Sequence, residues 1–408
     1  MADQAHEASV LSFQTPDAVE LRHLRGFIVV AEELNFGRAA SRLYISQPAL
    51  SRQIRMLERL LGCDLLRRST HRVELTLAGE ALLDRARQLL DDLDEAISVT
   101  RSVGGEHAGR IARLWEGSQI AAADADIQEL RSGYEALQSP FEAPPEVDIR
   151  PVNAGGVACL WLTPRPKQPS PTVLFLHGGG YVAGSAYGYR PLAGRLAAAA
   201  SSGILLPEYR LAPEHPFPAA VEDALSTFQW LLDSGTRPEE VTVAGDSSGA
   251  GLALSLLISL RERGLPMPGR AALMCPWVDL TGSHEPTPGP QEDPSQPVMP
   301  SVQLRRFTDA YLGGYAADDD PLLNPLTTDL TGLPPMLIQA GTGDPRTTDA
   351  RRLAEHARGY GVDAQLELYP VAAHVFQLYW SFLPEAADAI DQLASFIAPH
   401  ENSTARKA

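Results

Sequence analysis

The sequence predicts a multidomain chain: a small, mainly helical module and an amphipathic linker helix, then a larger α/β domain with a mainly parallel sheet and helices on both faces. Three observations carry this. At 408 residues the chain is too long for one ordinary core. The apolar residues recur at three- and four-residue steps in the first part, then gather into short runs separated by helical stretches. The charge is also split. Residues 20–78 hold ten Arg against six Asp or Glu, whereas the whole chain carries −17 and everything after Ala78 sums to −18. A basic module before an acidic one suggests two functions on one chain.

Residues 1–19 are polar, lack periodicity and are expected to be disordered. They also lack the charged-then-apolar profile of a signal peptide, so a cytoplasmic protein is expected. No run of eighteen apolar residues exists to span a membrane. Cys63, Cys159 and Cys275 lie far apart among apolar neighbours. They read as reduced, buried small hydrophobes and not as a disulfide framework or a zinc site.

Residues 20–78 read as three helices: one ending near Glu33, one across Gly37–Leu43 and one over Gln47–Leu61. Ala39, Ala40 and Leu43 allow close packing. Ser46 is expected to cap the third helix, with Pro48 in its first turn. Gln47, Ser51, Arg52 and Arg55 then share an accessible stripe, while Leu50, Ile54 and Leu57 face inward. Polar and Arg side chains near the start of such a helix can reach base edges and phosphates. The segment Arg67-Arg68-Ser69-Thr70-His71-Arg72 precedes the strand VELTL. It reads as a basic wing, with Arg68 and Arg72 as contacts to the DNA backbone. Over residues 79–105, Leu82, Leu83, Ala86, Leu89, Leu90, Leu93 and Ile97 mark one face of a helix that Gly104-Gly105 ends.

After a further helix around Ile127–Leu137, VDIRPV and VACLWL read as an antiparallel pair. VLFLH, ILLPEY, VTVAGD, AALMCPW, MLIQAG and AQLELY read as buried strands alternating with helices, hence a parallel sheet in a domain over residues 106–400. Residues 282–300 form a Pro-rich loop, and 301–312 resume as helix.

Gly245-Asp246-Ser247-Ser248-Gly249 fits G-x-S-x-G, a weak signal alone. It follows the strand VTVA and precedes the helix-forming run AGLALSLLISLRER. A strand, sharp turn and helix hold a serine oxygen exposed on a strained elbow. The hydroxyl needs a base, and the base an orienting carboxylate. Asp344 follows MLIQAG and His374 follows AQLELYP, the order acid then histidine that this arrangement uses. His284 in the Pro-rich loop, His356 within a helix and His400 in the tail fit badly. Ser247, Asp344 and His374 are therefore the expected catalytic triad. His177-Gly178-Gly179-Gly180 follows VLFL, where glycines let backbone amides approach an oxyanion. The expected donors are the amides of Gly179, Gly180 and Ser248, with His177 a loop-fixing hydrogen bonder. No metal or organic cofactor is required.

From about 125 to 398 the chain resembles the hormone-sensitive-lipase group of bacterial carboxylesterases, which implies an α/β-hydrolase. The likeness runs through HGGGYVAGS, YRLAPEHPFPAAVED, VTVAGDSSGAGLAL, CPWVDLT and GLPPMLIQAGTGDPRTTD to the His374 block. It implies architectural roles for Arg210 and Glu214, and a helical cap over the acyl pocket from the helices before the sheet and the segment near 282–315. Four positions depart from the group's pattern. Ser248 and Ala250 stand where Ala and Gly are usual, Arg346 where Leu is common, and Val375 where Gly is usual.

The stretch ELRHLRGFIVVAEELNFGRAASRLYISQPALSRQIRMLERLLGCDLLRRSTHRVELTLAGEALL resembles the winged helix-turn-helix of LysR-type regulators. AASRLYISQPALSRQIRMLE and LTLAGE carry that likeness. It implies double-stranded DNA as partner, a dimerising linker helix and a pseudo-palindromic site. EHAGRIARL resembles the start of that family's effector domain, and there the likeness ends.

Three readings compete at this stage. The chain is a regulator whose sensor is a live esterase acting on a small ester, a regulator whose hydrolase only binds ligand, or a plain esterase with a vestigial DNA-binding module. The complete set of candidate groups in both halves favours the first.

Overall fold

The computed structural model describes residues 19–43, 45–68, 73–103, 105–118, 126–166, 171–280, 301–315 and 320–398. Residues 1–18, Arg72, His284 and His400 lie outside them, so the expectations for the N-terminal tail, the wing tip and the Pro-rich loop are not addressed. Contacts divide the chain into two units, Met1–Ile97 and Ser98–Ala408.

In the first unit, α1 (Leu21–Glu33), α2 (Phe36–Arg42) and α3 (Gln47–Leu61) precede a two-stranded antiparallel ribbon, β1 (Leu66–Arg68) and β2 (Val73–Leu75). The helix α4 (Leu77–Val103) follows. Asn35 starts α2 by accepting from the amides of Gly37 and Arg38. Ser46 does occupy the N-cap position of α3, with extended backbone, but its side chain makes no capping bond. Phe27, Leu50, Ile54 and Leu57 are fully buried, with Ala39, Ala40 and Ala86 closing the gaps between helices. Buried Glu58 accepts from the amides of Leu65 and Leu66, both at 3.2 Å, and so ties α3 to the start of the ribbon. Glu32 pairs with Arg42 and Arg87, each at 2.9 Å, linking α1 to α2 and α4.

The second unit opens with α5 (Glu106–Ser118) and α6 (Ile127–Gln138). Asp126 caps α6 through the amides of Gln128 and Glu129, with Glu129 reaching back to the Asp126 amide. Next come β3 (Val147–Ala154), β4 (Val157–Pro164), β5 (Thr172–Leu176), α7 (Arg190–Ala200), β6 (Gly203–Pro207), α8 (Ala219–Asp233), β7 (Val241–Asp246), α9 (Ser248–Glu262) and β8 (Arg270–Met274). The chain closes with α10 (Ser301–Leu312), β9 (Met336–Gly341), α11 (Thr347–Gly359), β10 (Ala364–Tyr369) and α12 (Pro384–Ile397).

These strands form one eight-stranded sheet in the order β10-β9-β8-β7-β5-β6-β4-β3. The six strands from β10 to β6 run parallel, and the β3–β4 hairpin adds antiparallel at one edge. Successive side chains of a strand point to opposite faces. Val173 and Phe175 therefore join the core under α7 and α12, whereas Leu174 and Leu176 join the core under α8 and α9. Burial on both faces explains why the central strands read as unbroken apolar runs.

Arg210 and Glu214 tie loops to helices. Arg210 binds Asp223 and Glu222, and Glu214 takes both terminal nitrogens of Arg131 at 2.7 and 2.8 Å. Cys159 and Cys275 are buried as expected. Cys63 is exposed, because Gly62 ends α3 in a left-handed turn that puts the thiol outside the core.

Candidate active site

Ser247 stands between the last residue of β7 and the first of α9, with φ 50° and ψ −119°. That is a conformation few L-residues adopt, and here the surrounding packing imposes it. A side chain at Gly245 would strike the carbonyl of Leu176, and one at Gly249 the carbonyls of Leu176 and His177. The motif is glycine-rich because β5 passes so closely beneath the turn.

His374, in the loop after β10, places Nε2 2.8 Å from Ser247 Oγ. Its Nδ1 lies 2.9 and 3.0 Å from the two carboxylate oxygens of Asp344 in the loop after β9. Asp344 is buried, and its Oδ1 also accepts from the Arg346 amide at 2.8 Å. Val375 holds φ 47°, a strained value for a β-branched residue. The Cys275 thiol approaches this cluster to within 4.8 Å of both Asp344 and His374. Burial and the Asp344 charge push it well above its ordinary pKa, so it stays a neutral thiol. With the nitrogens of His374 already facing Asp344 and Ser247, this trio has the geometry of a hydrogen-bonded relay and not of a metal cage.

Of the three expected oxyanion donors, the amides of Gly179 and Ser248 have no partner among the described residues. The Gly180 amide instead donates to Ser248 Oγ at 2.8 Å. His177 is fully buried, with Nδ1 2.8 Å from the Gly178 carbonyl and its ring stacked on Tyr209 at 4.3 Å. Burial lowers it to a pKa of about 4, so it is a neutral loop-fixing group.

Two features of the site lie outside the sequence motifs' expected roles. Asp246, beside the nucleophile and fully buried, accepts from Tyr189 Oη at 2.7 Å and from the Gly178 amide at 2.9 Å. Tyr189 in turn meets Tyr134 Oη at 2.9 Å. Loss of hydration raises the Asp246 carboxyl to a pKa of about 7. A buried acid thus anchors the glycine loop. Its position inside G-x-S-x-G was visible in the sequence, but its partners were not. The second feature is the wall. A cavity of about 50 Å³ beside Ser247, His374, Gly179 and Gly180 is lined by Trp115 of α5, Tyr134 and Leu137 of α6, and Leu304 and Phe307 of α10. Helices before the sheet and the helix after the Pro-rich segment do form a cap. That α5 belongs to it was not foreseen.

In the first unit Gln47, Arg52 and Arg55 are exposed on α3 and Ser51 is half-buried beside them. The Arg55 Nε donates to the Ser51 carbonyl at 3.2 Å. Arg68 ends β1 opposite Val73.

Residues 173–378 match the family described as alpha/beta hydrolase fold. The chain belongs to that family. Within it, an acetyl-hydrolase of Streptomyces hygroscopicus is 38% identical over 278 residues, 67% of this chain and 90% of the relative. An esterase of Acinetobacter venetianus is 33% identical over 273 residues, 65% and 87% of the two chains. The solved structure of an esterase from the bacterial hormone-sensitive lipase family superposes with a TM-score of 0.66 at 33% identity, covering 71% of this chain and 96% of that one. Residues 21–80 match bacterial regulatory helix-turn-helix proteins of the lysR family. The chain thus joins a LysR-type helix-turn-helix to an α/β-hydrolase of esterase kinship. Among the described residues no helix is long and apolar enough to cross a membrane.

Proposed function

We propose that this chain is a DNA-binding regulator fused to a working carboxylesterase that hydrolyses short-chain esters. One observation carries the catalytic half: Ser247 Oγ, His374 and Asp344 stand in line at 2.8 and 2.9 Å, with the serine on a strained elbow. In the proposed reaction His374 takes the Ser247 proton as Oγ attacks the ester carbonyl, and Asp344 steadies the resulting imidazolium. The Gly179 and Ser248 amides face the developing oxyanion, the alcohol leaves with the proton from His374, and water activated by the same imidazole releases the acid.

The regulatory half rests on the lysR-family match together with exposed Gln47, Arg52 and Arg55 on α3. A homodimer through α4 and a cytoplasmic location are part of this reading. The test is hydrolysis of p-nitrophenyl acetate by the full chain beside Ser247→Ala. Turnover that vanishes in the variant supports the esterase. No turnover by folded protein favours a second reading, ligand sensing without catalysis, to which the occupied Gly180 amide lends support.

A further inference from the structure

Both carboxylate oxygens of Asp246 are engaged, and the row of hydrogen bonds that holds them reaches the cap. Tyr189 gives its single hydroxyl proton to Asp246 Oδ2 at 2.7 Å, so in its 2.9 Å contact with Tyr134 it accepts and Tyr134 donates. Asp246 Oδ1 takes the Gly178 amide at 2.9 Å. The row therefore runs from Tyr134 of α6, which lines the cavity beside Ser247, through Tyr189 at the start of α7 to the glycine loop. The loop backbone rests directly on it. A Cβ at Gly178 would lie 2.3 Å from Asp246 Oδ2 and 2.9 Å from Tyr189 Oη. Gly179, whose amide is a proposed oxyanion donor, is the next residue.

An ionised carboxylate accepts hydrogen bonds more strongly than a neutral carboxyl. When Asp246 takes a proton on Oδ2 the row reverses, the acid donating to Tyr189 and Tyr189 to Tyr134. Oδ1 then holds Gly178 only as a neutral carbonyl oxygen. Burial raises this carboxyl to a pKa of about 7, while the Tyr189 and Gly178 bonds and the nearby His374 charge act the other way. The other titratable groups around it among the described residues do not share the change. Burial raises Tyr134, Tyr189 and Tyr209 well above their ordinary range, so they stay neutral. His177, its ring 5.4 Å from that of Tyr189, is lowered to about 4 and is neutral as well.

We infer that Tyr189 and Tyr134 are positioning residues for the oxyanion loop, acting through Asp246 to keep Oδ1 a charged acceptor for Gly178 while the ester reacts. The proposal rests on the esterase reading and adds to it a second proton, distinct from that of His374, whose loss turnover requires. Neither tyrosine touches the reacting atoms. Their effect is on when the loop is held by a carboxylate and when by a neutral acid.

Two measurements on the full chain test this. The first is kcat/KM for p-nitrophenyl acetate against pH, followed at the isosbestic wavelength of p-nitrophenol. The acid limb is expected to reach a slope of about 2 in the wild type and about 1 in Asp246→Asn, which mimics the protonated acid. Tyr189→Phe removes a bond that favours the carboxylate, so its limb is expected to move up by about one pH unit. The limb of Tyr134→Phe is expected to move the same way by less. The second is an infrared pH titration of the protonated carboxyl band, taken as the difference between each protein and its counterpart carrying Asp246→Asn. The midpoint is expected near pH 7 in the wild type and about one unit higher in Tyr189→Phe. A wild-type slope of about 1 overturns the proposal. So do a limb and an infrared midpoint that Tyr189→Phe leaves in place while only the plateau of kcat/KM falls, which is what a purely structural role predicts. A Tyr134→Phe that moves neither removes Tyr134 from the row. If acetate is not hydrolysed at any pH, the esterase reading fails, and the infrared midpoints still decide whether Tyr189 holds Asp246 ionised.

Discussion

The backbone amide of Gly180 donates to the side-chain oxygen of Ser248 across 2.8 Å. The resemblance to bacterial carboxylesterases implies alanine at Ser248, and the Ser248 hydroxyl occupies an amide of the glycine loop that is proposed as an oxyanion donor. Ser248→Ala is expected to return that amide to the site and to raise kcat about tenfold, since one such donor is worth on the order of 10²–10³ when lost. Steady-state kinetics on p-nitrophenyl acetate reads this out, with KM changing little. A tenfold fall in kcat would show instead that the hydroxyl is itself a donor.

Asp344→Asn keeps the shape of the acid loop but removes the charge opposite His374 Nδ1. The expected loss in kcat is about 10³- to 10⁴-fold, with the protein as stable to urea as the wild type within about 1 kcal/mol. A loss under tenfold would mean that another group orients the imidazole.

Asp246 gives a pH signature in stability. Its carboxyl rises from an ordinary 3.8 to about 7 because burial penalises the charged form. Between these values the folded chain keeps a proton that the unfolded chain has lost. Its stabilising contribution is therefore complete below about pH 4 and declines as pH rises to about 7. The span corresponds to at most about 4 kcal/mol, at 1.36 kcal/mol per unit. The urea midpoint of the wild type is expected to fall from about pH 4.5 to 7.5, and that of Asp246→Asn to fall less. Parallel curves would rule the assignment out.

Arg52 is exposed on α3, whereas Arg42 and Arg87 are engaged with Glu32. Arg52→Ala is expected to weaken binding to duplex DNA and to lower the slope of log K against log salt by about 1. Fluorescence anisotropy from 50 to 300 mM salt measures it, and an unchanged slope would remove Arg52 from the interface. The paired Arg42→Ala is expected to cost stability more than affinity.

The two arms of the chain were legible for different reasons. In the first unit, α3 has the predicted bounds Gln47–Leu61, because periodic Leu50, Ile54 and Leu57 and the glycine stop at Gly62 are local signals. The Ser46 capping bond and a buried Cys63 were not found, since each depends on where a side chain ends up once its neighbours pack. In the second unit, every apolar run read from the sequence became a strand, and Ser247, Asp344 and His374 fell on the loops that follow β7, β9 and β10. Helix α5 went unread as helix because its sequence resembled the start of a different domain, and a family likeness outweighed its amphipathic pattern.

By itself the sequence determined the kinds of element, their order, and the groups proposed here for acyl transfer and DNA contact. Periodicity, turn chemistry and nucleophile-elbow spacing are properties of neighbouring residues. Tertiary structure alone decided which donors the glycine loop keeps free, that buried Asp246 anchors that loop, and that Trp115 lines the pocket. Those outcomes depend on contacts between residues 68 to more than 250 positions apart. No local pattern encodes such contacts, because packing the sheet and the cap is what brings them together.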